Sequence, residues 1–164
     1  MSQMSTVKSA AELAQEFEAQ ARGFAEFLRG LDEHQWRLVT EAEGWSVGTT
    51  AHHVGQSFAT TWQLAEAMLA DNVPPITHED IDAANAAHAA EFPNPDKAET
   101  LALIESEASE VAAKIAALSD QQLDHAAVVA AFGPDPLPVR AWIEMVVIGH
   151  IGLHRQSIEA TIEQ

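Results

Sequence analysis

Apolar residues recur along this chain at three- and four-residue steps, and in four long stretches the pattern is strong enough to predict helices. The first covers about residues 10–31, with Leu13, Phe17, Gln20, Phe24, Leu28 and Leu31 on one stripe. Glu12, Glu16 and Glu18 near its start suit the positive end of a helix dipole. Gly44-Trp45-Ser46 reads as a stop followed by an N-cap serine, opening a second helix over about 46–70. Its apolar face is Val47, Ala51, Val54, Phe58, Ala65 and Leu69, with Trp62 beside it. Asn72-Val73-Pro74-Pro75 must end that helix, because proline has no backbone N–H to donate. Thr77 to Asp80 then resembles a capping signal for a short helix over about 78–91. Phe92-Pro93-Asn94-Pro95 breaks the chain again before a third long helix, about 96–118, with Leu101, Ile104, Ala108, Val111, Ile115 and Leu118 in register. Gly133-Pro134-Asp135-Pro136 is a turn, and the fourth helix covers about 137–162.

Almost nothing alternates as a strand would. The expected fold class is therefore all-α: one domain over 1–164, built as a four-helix bundle about 30 Å long. The connection between the second and third long helices, which carries the short one, is long enough to cross the bundle. Leu31-Asp32-Glu33-His34-Gln35-Trp36 and Leu118-Ser119-Asp120-Gln121-Gln122-Leu123 follow the first and third helices in similar form, as a repeated helix pair would.

Charge narrows the partners. Asp and Glu outnumber Lys and Arg by 25 to 8, a formal net charge of -17. A chain that grips phosphates needs a basic footprint, so neither nucleic acid nor an anionic membrane surface is an expected partner. With no cysteine, a disulfide framework, a thiolate metal site and a cysteine nucleophile are excluded. Met1 to Ala10 lacks the basic-then-apolar order of a secretory signal, and Arg140, Glu144 and His150 interrupt the most apolar stretch, so the expected compartment is cytoplasmic.

The candidate chemistry lies in the eight histidines. His150 and His154 are four apart, so they project from one face of the last helix, one turn apart, and can grip one ion. On a helical wheel they lie opposite Glu144, Arg155 and Glu159, among Ile143, Val146, Val147 and Leu153. Buried imidazoles need partners, and a shared metal is one solution. A third ligand is expected from a facing helix. His52 falls among Gln56, Gln63 and Glu66 and is expected to be solvated, whereas His53 falls beside Ser57, Leu64 and Met68 and is the better candidate. His34, His78, His88 and His125 lie in connections or the short helix and are expected at the surface or in caps, although His88 or Asn85 can reach the mouth of a pocket.

Trp45-Ser46-Val47 with His53 eight residues after the tryptophan, and His150-x3-His154 followed by Arg155 and Gln156, resemble the DinB-like metalloproteins. Leu31-x2-His34-Gln35-Trp36 and Asp82-x2-Asn85 add to the likeness, which spans about residues 10–162. The resemblance implies a four-helix bundle with an unusual crossover between the second and third helices, and frequently a homodimer. It also implies one divalent ion, nickel or zinc, on three histidines; imidazole ligands suit iron as well. Relatives include mycothiol- and bacillithiol-dependent transferases and a maleylpyruvate isomerase. This chain departs from them in reading Gln156 where a glycine often follows the arginine, and no separate C-terminal domain is expected from the 164 residues.

The leading expectation is a metal-dependent transferase acting on a small molecule, with metal ligands His53, His150 and His154 and a low-molecular-weight thiol as cosubstrate. Ser57, Asn85 and Arg155 are candidate substrate contacts. A metal-dependent hydrolase and a non-catalytic metal or small-molecule binding module are the alternatives.

Overall fold

The computed structural model describes residues 6–164. Helix α1 (Ala10–Arg29) starts at a capping box in which the Ser9 hydroxyl accepts from the Glu12 N–H and the Glu12 carboxylate accepts from the Ser9 N–H. It stops at Gly30, short of the predicted end, because Asp32 and Gln35 form a second capping box that starts the separate short helix α2 (Glu33–Arg37). Helix α3 (Val47–Leu69) is capped by Ser46, α4 (His78–Glu91) by Thr77 with Asp80, and α5 (Lys97–Ala116) by Asp96. Ser119 with Gln122 caps α6 (Asp120–Asp124). Two strands of two residues each, β1 (Ala126–Ala127) and β2 (Leu137–Pro138), pair antiparallel around a 3₁₀ turn at Ala130–Phe132, a small exception to the all-helical expectation.

The last helix is one continuous rod in three parts: α7 (Val139–Trp142), a π-helical turn (Ile143–Ile148) and α8 (Gly149–Ile162). The Gly149 N–H bonds to the Glu144 carbonyl five residues back, which widens the rod just before the first histidine of the pair.

Four rods make the bundle. α1 packs against α5, α5 against α3, and both α3 and α1 against the last rod, so α1 and α3 lie on one diagonal and α5 and the last rod on the other. Phe17 of α1 and Phe58 of α3 meet edge-to-face across the centre, with ring centroids 5.1 Å apart. Leu13, Phe24, Val54, Ile104, Ile115 and Ile151 are fully buried around them.

The Thr49 hydroxyl donates to the Phe92 carbonyl at 2.7 Å, and further along α3 Gly55 presses on Ile104, so α3 and α5 run in the same direction. The chain between them therefore travels back toward the Ser46 end, and α4 lies on that return path. The last rod runs against α3. The Trp142 indole N–H donates to the Thr61 carbonyl at 2.9 Å, and about two turns away along each helix His150 meets His53. At the same end the Trp36 indole lies over Gly48 and donates to the Pro95 carbonyl at 3.0 Å, fastening α2 to the starts of α3 and α5.

Candidate metal centre

His53 comes from the buried face of α3, and His150 and His154 from successive turns of α8. Their Nε2 atoms converge: His53 lies 3.2 Å from His150, and His154 lies 3.0 Å from His150. One ligand atom from each of the three lies within 4.8 Å of the others, a set able to hold one ion. Tetrahedral ligands at bonds of about 2.1 Å would sit roughly 3.4 Å apart, so the donor set fits a single ion with little adjustment. Burial, then the neighbouring His154, hold both His53 and His150 far below the usual imidazole range, at about 3. At neutral pH both rings are uncharged, the form that binds metal.

A carboxylate fixes the third ring. Glu43 Oε1 lies 2.8 Å from His154 Nδ1, and Glu43 Oε2 accepts from the Ser157 hydroxyl at 2.5 Å. Burial pushes the Glu43 pKa up, but hydrogen bonds from Ser157, Thr40 and His154 outweigh it and hold the group below its ordinary value. An ionised carboxylate can only accept, so His154 Nδ1 carries the proton and Nε2 presents its lone pair to the cluster. Glu43 reaches this position from a tight turn. The Thr40 N–H bonds to the Trp45 carbonyl at 2.8 Å, and Gly44 takes a positive φ of 72°.

The wall beside His53 is aromatic. Trp45 meets His53 edge-on with ring centroids 5.3 Å apart, and His88 of α4 does the same at 5.4 Å. His88 and His52 share a ring-to-ring hydrogen bond of 2.8 Å, and Phe92 stacks on His52 at 4.1 Å. Two expectations are corrected here. His88 is not a surface or capping residue but the buried anchor of α4, with 8% exposure. His52 is not solvated but half-buried against His88 and Phe92. Burial, then the adjacent His52, lower the pKa of His88 to about 4, and burial also lowers that of His52.

The candidate substrate contacts are dispersed. Ser57 is buried, and its hydroxyl donates to the His53 backbone carbonyl one turn back at 2.6 Å, so it is turned onto its own helix. Asn85 lies half-buried on α4, one turn before His88. Arg155 is occupied on the α1 side, where it pairs with Glu159 at 2.8 Å and lies over the Phe27 ring, 5.0 Å from its centroid. Glu43 escaped the sequence reading. Its only signal is a carboxylate in the turn two residues before Trp45, in a connection without periodicity.

A four-helix bundle with an interior cluster of three histidines, one of them held by a carboxylate, presents a donor set that could hold one metal ion. The chain belongs to the DinB superfamily, whose sequence profile matches residues 16–158. Among solved structures it resembles YfiT from Bacillus subtilis, described as a probable metal-dependent hydrolase with an unusual four-helix bundle topology. That likeness has a TM-score of 0.73 at 14% identity over 99% of this chain and 90% of the other. It also resembles DfsB, a sibling lethal factor precursor, with a TM-score of 0.72 at 15% identity over 95% of this chain and 96% of the other. At these identities the likeness speaks to the fold. No curated protein sequence matches the chain.

Proposed function

We propose that the chain is a metal-dependent enzyme that binds one divalent ion through His53, His150 and His154 and uses it to activate a small nucleophile, a low-molecular-weight thiol. The carrying observation is the convergence of three Nε2 atoms in one buried cluster, with Glu43 setting the tautomer of His154. Three neutral ligands leave a coordination position open, the arrangement of catalytic rather than structural sites. An ion held there would lower the pKa of a bound thiol or water and stabilise charge that develops beside it.

The chain's own groups favour the thiol. Both Glu43 oxygens are engaged, so among the described residues the carboxylate at the cluster is not free to take a proton from water. A thiol, with an ordinary pKa of about 8.5, needs far less help than water at about 15.7. Because the chain has no cysteine, that thiol comes from a cosubstrate. Glu43 holds the His154 ring in place, while Trp45 and His88 pack against the His53 ring.

A second reading, hydrolysis with water as nucleophile, is supported by the fold shared with YfiT, itself described as a probable metal-dependent hydrolase. The two readings separate in one experiment. Protein stripped with a chelator and reloaded should take up one nickel or zinc ion per chain, and His53→Ala should lose that uptake. The loaded protein should consume thiol against a panel of electrophiles. Ester or amide cleavage without thiol, rising with pH, would instead establish the hydrolase, and failure to bind any ion would remove both.

A further inference from the structure

The charges around the cluster are distributed one-sidedly. From Leu38 to Asp96 the chain contains no lysine or arginine, and this stretch supplies Glu43, Trp45, His52, His53 and His88. It also supplies Glu41, Glu79, Asp80, Asp82 and Glu91, four of them on α4, the helix that His88 anchors beside His53. Glu91 immediately precedes Phe92, whose ring stacks on His52 with centroids 4.1 Å apart.

The basic residues are engaged elsewhere. Arg22 and Arg29 line a groove of about 300 Å³ between α1 and α5, the side of the bundle opposite the α3–α8 side that holds the histidines. Arg29 pairs there with Glu105, and Lys97 donates to the Arg29 and Leu31 carbonyls. Arg37 pairs with Glu33, Lys114 with Glu110, Lys8 with Glu16, and Arg140 with Asp124. Arg155, the basic residue nearest the cluster in sequence, is held by Glu159 and Phe27 on the α1 side. The groups that meet around the ligands are instead the His52 and His88 imidazoles, the Glu43 carboxylate and the rings of Trp45 and Phe92, whose faces attract cations and offer nothing to a carboxylate.

From this distribution we infer that the site selects against anions: the molecule that reaches the ion is uncharged or cationic, and a thiol cosubstrate carries no carboxylate. This rests on the metal-and-thiol reading above and narrows its substrate class. An ion on three neutral ligands would attract any anion at contact. The segments that frame His53, however, α4 and the Thr40–Ser46 turn, carry only negative fixed charge, and Arg37 and Lys97, which share a groove with Ser46, are held by Glu33 and by the Arg29 and Leu31 carbonyls.

The test uses the full chain loaded with cobalt, whose visible spectrum reports a new ligand without turnover. It is titrated with cysteamine, 2-mercaptoethanol and mercaptoacetate, three small thiols that are cationic, neutral and anionic. Salt response isolates the charge effect from differences in thiol acidity. At about 0.01 M ionic strength the fixed charges act over roughly 30 Å, and at 1 M over about 3 Å. Raising salt should tighten mercaptoacetate roughly threefold to tenfold, weaken cysteamine by a similar factor and leave 2-mercaptoethanol unchanged. The exposed double variant Glu79→Lys, Asp82→Lys should tighten mercaptoacetate at low salt and leave 2-mercaptoethanol where it was. If mercaptoacetate weakens as salt rises, or the double variant leaves its affinity unmoved, the inference fails while the metal reading stands. Absent cobalt uptake, or a spectrum that no thiol changes, overturns the metal-and-thiol reading and the inference with it.

Discussion

Glu43 decides what His154 offers the cluster. With its carboxylate accepting from Nδ1–H, the ring presents Nε2 inward; without it, the proton is free to sit on either nitrogen and the ring to turn. Glu43→Ala should therefore lower affinity for nickel or zinc about 10–100-fold, the usual cost of removing such a partner, as read by competition with a chelating dye. Glu43→Gln, which keeps an acceptor for Nδ1–H, should lose less; equal losses would show that charge rather than tautomer is at stake. The sequence makes the three converging histidines legible and the groups that hold them illegible, for a physical reason. His53, His150 and His154 lie on helices, where periodicity tells which face is buried, and the wheel already separates His53 from His52. Glu43 acts from a turn, where side-chain direction follows backbone hydrogen bonds that no period encodes. His88 lies on a helix with no apolar stripe, so nothing in α4 marks its one buried position.

At the scale of elements, the close approach of α2 to α3 depends on an absent side chain. A Cβ at Gly48 would lie 2.5 Å from the Trp36 indole nitrogen, and that ring cannot withdraw without losing its bond to the Pro95 carbonyl. Gly48→Ala should thus be a net loss: overpacking costs about 1–3 kcal/mol, against ~1 kcal/mol gained by replacing a helical glycine. Gly152→Ala on α8 meets nothing within 4 Å and should stabilise, so urea midpoints of the two variants should move in opposite directions. The four long rods and the short α4 follow from hydrophobic spacing and capping signals, but the π turn does not. A wheel anchored on the buried Val139 and Trp142 takes in Leu153 beside the histidines, yet Leu153 is 63% exposed while Ile151 and Ile158 are buried. One extra residue in the turn rotates the downstream face by about 100°, which brings Ile151, His154 and Ile158 inward together. Hydrophobic spacing does not place a π turn, because the turn lies between tertiary anchors at both ends, Trp142 on Thr61 and His150 on His53.

For the molecule as a whole, the histidine cluster and the surface charge oppose each other as pH falls. His53 and His150 have folded pKa values of about 3 and His88 of about 4, all below the unfolded value of about 6.5. Below pH 6.5 the unfolded chain binds protons that the folded chain refuses. The stability these groups confer is thus complete above that pH and lost as pH falls toward 3, each steepening the slope by up to about 1.4 kcal/mol per pH unit. Protonation of the carboxylates acts in the opposite sense, because it relieves the self-repulsion of a chain carrying a formal charge of -17. That relief begins near the carboxylate range, around pH 4–5, so between about pH 6.5 and 5 the histidines act almost alone. The metal-free protein should lose urea stability across that window, and the double variant His53→Gln, His150→Gln should flatten the loss while keeping the rods in register. Saturating zinc should raise the plateau above pH 6.5 by mass action and steepen the fall below it, since protons then compete with the ion for the same Nε2 atoms. A metal-free midpoint that stays level or rises from pH 6.5 to 5 would mean the three rings are not held together and neutral inside the bundle, and the charged surface would then govern the stability of the chain at every pH.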